Sequence, residues 1–133
     1  MATAITGTEV RLHKTPGQAK EIIEYPITGA AAIDHTITPG RPFRLVGVRL
    51  HLSAAPTTSE NFSIGLNDGK AAAYDTVLYK RDFSVGSLTD LVLSASDLSL
   101  DSDHMFKATD FLDIDWTNTD TSTYGLTVLI ELL

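Results

Sequence analysis

The feature that most constrains this chain is the alternation in Phe111 to Leu133, which reads FLDIDWTNTDTSTYGLTVLIELL. Leu112, Ile114 and Trp116 alternate with Asp113, Asp115 and Thr117, the period of two expected of a strand with one face buried. The run TNTDTST supplies turn and loop residues. After it, Tyr124, Leu126, Val128, Ile130 and Leu132 fall on one face of a second strand. A helix is disfavoured, because the apolar residues do not recur at three and four. Two strands joined by a polar loop predict a β-hairpin. It is expected at the centre of the fold, with Leu112, Ile114, Trp116, Leu126, Val128 and Ile130 buried and both aspartates facing away.

The rest of the chain repeats this pattern in shorter pieces. Thr8 to His13 alternates and reads as a short strand, or as an arm that becomes one on docking. Thr15-Pro16-Gly17 is a turn signal. Gln18 to Glu24 has the look of a helical turn, but Ile22-Ile23 with Tyr25-Pro26 favours a strand stopped by the proline. Ile33, His35 and Ile37 alternate with Asp34 and Thr36. In Arg41 to Ser53, Val46, Val48, Leu50 and Leu52 share a face, and Arg44 falls on the apolar side at the entry. Phe62, Ile64 and Leu66 form a strand closed by the turn residues Asn67-Asp68-Gly69. Ala71 to Phe83 and Leu88 to Leu93 are strand-like, with a Gly-containing turn at Ser84 to Ser87. Ser94 to Asp103 is polar with Leu98 and Leu100 inserted, as along a sheet edge.

These are about eight strand candidates at short spacing, with turn chemistry between them and no persuasive amphipathic helix. The expected fold is all-β, an antiparallel sandwich or barrel with under about 15% helix. At 133 residues, without a fixed repeat or low-complexity linker, residues 1–133 read as one domain. Residues 1–7, small and Thr/Ala-rich at their start, read either as an extended N-terminal arm or as part of an ordinary first strand.

Charge is uneven. Residues 1–89 carry nine Lys/Arg and eight Asp/Glu; residues 90–133 carry Lys107 and nine acidic residues. The acidic end argues against a phosphate-binding surface, so no nucleic-acid partner is expected. It reads as a solvated face, or as a patch for a basic protein. There is no cysteine, hence no disulfide and no thiolate metal site. No apolar run approaches the roughly 20 residues of a membrane span. The start, MATAITGTEVRLHK, lacks the pattern of a secretory signal, and synthesis in a cytosol is the default.

No catalytic, metal or cofactor constellation emerges. Gly65 to Lys70 (GLNDGK) has the wrong glycine spacing for a phosphate loop, and Ala71 replaces the Mg²⁺-binding hydroxyl; a tight hairpin turn is expected there. His13, His35, His51 and His104 lie apart and lack the spacing of a zinc site. His51 shares a strand face with Arg49. Asp97, Asp101 and Asp103 offer oxygen atoms to Ca²⁺ but lack EF-hand spacing, and solvated carboxylates are the plainer reading. Asp113 and Asp115, at i and i+2 on a strand, lie about 6–7 Å apart, a spacing compatible with a glycosidase pair. Nothing in the sequence supplies the cleft. Trp116 and Tyr124 fall on the apolar face and read as core.

The segments RPFRLVGVRLHLSAA (41–55), AAAYDTVLYKRDF (71–83), LTDLVL (88–93) and FLDIDWTNTDTSTYGLTVLIEL (111–132) resemble small β-rich proteins encoded beside the head genes of tailed bacteriophages. The most characteristic part is Asp-Ile-Asp-Trp followed by Thr-Tyr-Gly-Leu-Thr-Val. The resemblance implies a jelly-roll-like sandwich that serves as a virion component. The expected role is a capsid decoration (cement) protein on the outer surface of the head, with the major capsid protein and further copies of itself as partners. It carries over no catalytic residue, so an enzyme is not expected. A head-tail or tail component, and a carbohydrate-binding sandwich module, are the alternatives. A sugar platform needs at least two exposed, coplanar rings among Tyr74, Tyr79, Trp116 and Tyr124; a cement protein buries them.

Overall fold

A computed structural model describes the backbone of residues 3–4 and 10–13, and residues 21–101 and 104–133 in full. Among the described residues there are ten strands: β1 (Thr3–Ala4), β2 (Val10–His13), β3 (Glu21–Gly29), β4 (Ile33–Ile37), β5 (Phe43–Leu52), β6 (Asn61–Asn67), β7 (Thr76–Asp82), β8 (Asp90–Ser94), β9 (Phe111–Trp116) and β10 (Tyr124–Leu132). Eight of them, β3 to β10, build an antiparallel sandwich of two four-strand sheets, β3-β10-β5-β8 and β4-β9-β6-β7. β2 extends the first sheet beside β3, and β1 adds in parallel to β4. Among the described residues the helical elements are two 3₁₀ turns, Ala72–Tyr74 and Ala95–Leu98.

The pairing is nested. β6 pairs with β7, β5 with β8, β4 with β9, and β3 with β10, all antiparallel. A long hairpin rolled up so that β9 also meets β6, and β10 also meets β5, is the jelly-roll arrangement. The expected sandwich and strand number are therefore present, but the expected terminal hairpin is not. β9 and β10 lie in different sheets, each central in its own, and TNTDTST is an arch between them. Both strands still turn one apolar face inward, since two facing sheets share one core.

That core takes in all six residues expected from the terminal segment, each no more than 2% exposed. Asp113 and Asp115 face outward. Phe83 stacks on Phe62 at 5.3 Å and meets Trp116 edge-on at 5.4 Å. Phe43 stacks on Phe106 at 4.9 Å.

Three local expectations are corrected. Pro26 does not stop its strand: β3 runs on to Gly29 in unbroken register with β10, and Pro26 lies past Glu24, the last described partner of β2. A proline is tolerated where the neighbouring ladder has ended. Val46 lies on the outer face, 44% exposed. A bulge in β5 sets Leu129 opposite Gly47 but Ile130 opposite Leu45, which reverses the facing of the entry half. Phe43 and Leu45 thereby turn inward, and Arg44 turns outward to meet Glu131 at 3.2 Å. Gly47 fits the bulge because a Cβ there would stand 2.9 Å from Leu93 C=O. The β6–β7 connection is not tight: Asn67 and Asp68 cap the turn through Gly69 and Lys70 N–H, and the 3₁₀ turn Ala72–Tyr74 follows. The turn at Thr15 to Gly17 lies outside the described residues, as do all of residues 1–7 except Thr3 and Ala4.

Candidate functional surfaces

Two sheet faces, one loop end and two open strand edges present the chemistry of this molecule. On the outer face of the β4-β9-β6-β7 sheet, strand register sets Asp34 directly opposite Asp115, and Thr36 opposite Asp113. The Thr36 hydroxyl donates to Asp113 Oδ1 at 2.8 Å. Asp115 has a hydroxyl-bearing neighbour on its other side, Ser63 of β6. Partial burial, then a hydrogen bond with Asp34 and repulsion from Asp34 and Asp113, pushes the Asp115 carboxyl up to about 6. Asp34 was not singled out from the sequence, because only the strand register reveals it. The three carboxylates stand together on the outer face of the sheet. Beside Asp115 is a shallow depression lined by Ala32, Ile33, Asn61, Trp116 and Thr117. Asp113 is held by Thr36, and Asp115 is hydrogen-bonded to Asp34; the pair weighed as a glycosidase dyad is thus engaged in cross-strand contacts.

The loop end is organised by Asn118 and Asp120. Asn118 is 2% exposed with φ of 51°, a left-handed conformation that asparagine tolerates better than most residues. Its Nδ2 donates to Ala31 C=O at 2.9 Å and Ser122 C=O at 3.0 Å, and its Oδ1 accepts from Ser122 N–H at 3.0 Å. The arch between β9 and β10 is thereby tied to the β3–β4 connection. The Asp120 carboxylate accepts from the Thr58 hydroxyl and from the N–H groups of Thr57 and Thr58, which hold it down at about 2. Glu60 accepts from Thr119 N–H and hydroxyl, each at 2.7 Å.

On the outer face of the other sheet, charges meet in pairs: Arg44 with Glu131 at 3.2 Å, Arg49 with Glu24 at 3.8 Å, and His51 Nδ1 with Asp90 Oδ1 at 2.6 Å. His51 and Arg49 share this face, as the alternation predicted. His35 faces inward between Ile33 and Ile37, and its buried Nδ1 has no hydrogen-bond partner. His104 packs edge-on against Phe106 at 4.7 Å. His13 lies on β2. Asp97 caps the Ala95–Leu98 turn by accepting from Ser94 N–H at 2.7 Å, Asp101 is exposed, and Asp103 lies outside the described residues. Among the described residues, no three His, Asp or Glu side chains converge as a metal site would require.

The rings are disposed as follows. Trp116 is 2% and Tyr124 5% exposed, Tyr79 packs partly buried against the core, and Tyr74 is 61% exposed. Lys70 Nζ lies 5.4 Å from the centre of the Tyr74 ring. β7 and β8 each end a sheet on the side away from β1 and β2.

A scan against protein-family models gives no match to this chain, and a search among curated proteins gives no significant relative. The antiparallel eight-strand sandwich is what the structure supports of the resemblance described above.

Proposed function

We propose that this protein is a bacteriophage capsid decoration protein, which binds the assembled head shell from outside and stabilises it. The observation that carries the reading is where the four phage-like segments fall. Residues 41–55, 71–83, 88–93 and 111–132 supply β5, β7, β8, β9 and β10, five of the eight strands of one jelly roll. Jelly rolls are a common architecture of viral shells, though lectin domains use them too. Fold alone does not define function. The burial of Trp116 and Tyr124, which leaves Tyr74 as the exposed ring among the four considered, favours decoration over a sugar-stacking platform.

The proposed partner is the major capsid protein, together with further copies of this chain; neither nucleic acid nor a membrane is invoked, and no catalytic step. A small domain offers each neighbour a modest contact, while a lattice presents several contacts at fixed spacing. Bridging them makes later contacts intramolecular and raises avidity by about 10²–10⁴. A ligand that binds only the assembled state shifts the equilibrium towards assembly.

The test is co-sedimentation of the purified chain with shells stripped of it, beside free capsid subunits and a panel of polysaccharides. Capture by shells alone, with a rise in the temperature at which they rupture, is expected. Removal of residues 1–7 tests their role as an arm: the sandwich should stay folded while capture weakens. Binding to a polysaccharide but not to shells rejects decoration for the carbohydrate module. Binding to neither favours a tail or connector role.

A further inference from the structure

β8 is the outer strand of its sheet and pairs on one side with β5. In an antiparallel ladder, alternate residues direct both backbone groups towards the same neighbour. Leu52 N–H donates to Thr89 C=O at 2.8 Å, which fixes the phase: Leu91 and Leu93 bond to β5. Asp90, Val92 and Ser94 direct their N–H and C=O groups away from it. Ser94 N–H is engaged by the Asp97 carboxylate at 2.7 Å. Two consecutive outward positions remain, Asp90 and Val92, and the Val92 side chain is 74% exposed.

We infer that β8 is a self-pairing edge, to which a second copy of this chain adds its own β8 antiparallel about a two-fold axis at Leu91. In that register Asp90 of each copy lies opposite Val92 of the other. The outward N–H groups of these residues each find a carbonyl, and four backbone hydrogen bonds close the two sheets into one. Leu91 meets its own counterpart at a non-hydrogen-bonded position, where Cα atoms approach to about 4.5 Å. Leu91 is half-buried and packs against the core, so the two leucines continue the apolar layer beneath the joined sheet. The neighbouring registers fit worse. Centring on Val92 sets Asp90 against Ser94, whose N–H Asp97 already occupies. Centring on Asp90 sets two carboxylates face to face. At Leu91 the contact is isologous, and His51 draws each Asp90 carboxylate back over its own sheet at 2.6 Å.

β7, an outer strand of the other sheet, makes the contrast. β7 carries Lys80 and Arg81, residues of the type that discourages strand addition, whereas Asp90 to Ser94 contains no Lys, Arg or Pro. The pairing needs no shell, so it stands or falls apart from the decoration reading. The ladder is short and the contact small, so association is expected to be weak and to grow with concentration.

The experiment is sedimentation equilibrium of the full chain up to millimolar concentration, with residue-resolved amide hydrogen exchange. A monomer–dimer equilibrium is expected, with the Asp90 and Val92 amides gaining protection as concentration rises. Val92→Pro removes an outward donor but no donor of the β5 ladder. It should weaken association by about 10- to 100-fold, given two lost backbone bonds per dimer, while circular dichroism shows the fold retained. Val92→Lys, which sets a charge on the edge, serves if the proline variant does not fold. Val77→Lys on β7 should leave association unchanged. A chain that stays monomeric, or a dimer in which these two amides exchange freely, overturns the inference. Protection that arises only with shells present gives the edge to a capsid strand and also overturns it.

Discussion

Replacing Asn118 tests how the arch between the two sheets is held. The side chain makes three hydrogen bonds at 2.9–3.0 Å from a buried position, two given to carbonyls and one taken from Ser122 N–H. Each is worth about 1 kcal/mol net. Alanine also tolerates the left-handed backbone less well, by roughly another 0.5–1 kcal/mol. Asn118→Ala should therefore destabilise by about 3–4 kcal/mol, or roughly 10–15 °C in thermal midpoint for a domain of this size. Asn118→Gly loses the same bonds but relieves the backbone, and should recover up to about 1 kcal/mol of that loss. Asn118→Asp keeps the acceptor for Ser122 N–H but turns an anionic oxygen towards two carbonyls, so it should be at least as damaging at neutral pH. Urea unfolding followed by the fluorescence of Trp116, the single tryptophan, reads all three. A loss under about 1 kcal/mol for Asn118→Ala, or a glycine variant as stable as the parent, would refute the reasoning.

Trp116→Ala should cost about 3–5 kcal/mol, because a 2%-exposed ring that abuts Phe83 leaves a cavity in the core; an unchanged melting temperature would place the ring at the surface. Partial burial and the neighbouring Asp34 and Asp113 push Asp115 up to about 6 in the folded chain from an ordinary 3.8, so between those values the native state holds a proton that the unfolded state has released. Its contribution is full below the unfolded value and is lost as pH rises through the folded one. Asp115→Asn should gain stability over the parent above that window and none below it, by no more than about 1 kcal/mol once solvent screening is allowed for. Parallel pH profiles of melting temperature for the two chains would contradict the upward shift of Asp115.

The strands were legible because the core asks only that every second residue be apolar. Leu112, Ile114, Trp116, Leu126, Val128 and Ile130 satisfy that whether β9 and β10 pair as a hairpin or face each other across a sandwich. Alternation fixes which face a residue takes, not which strand lies beside it. The facing of Val46 escapes simple alternation because a bulge changes the phase without changing composition, and Gly47 is its one local trace. Pro26 misled because a proline stops a ladder only where a neighbour needs its N–H. The Asp34–Asp115 contact joins strands far apart in sequence, so the paired aspartates on β9 were visible while the partner that shifts one of them was not. Asn118 and Asp120 stand among turn residues as ordinary loop polarity; Ala31, Thr57 and Thr58, which they bind, belong to connections far away in sequence.

The central position of β10 bears on how the molecule is made. β10 fills the slot between β3 and β5, with Leu132 opposite both Glu21 and Phe43. Those two strands leave the ribosome long before the one that joins them. A nascent chain ending short of Tyr124 would carry two unpaired inner edges and a half-covered core, the kind of species that aggregates. Loop-closure entropy must also be overcome before any of these distant pairings returns free energy. This sheet is therefore expected to close slowly and only after its last strand has been synthesised, when insertion of β10 zips both neighbours at once.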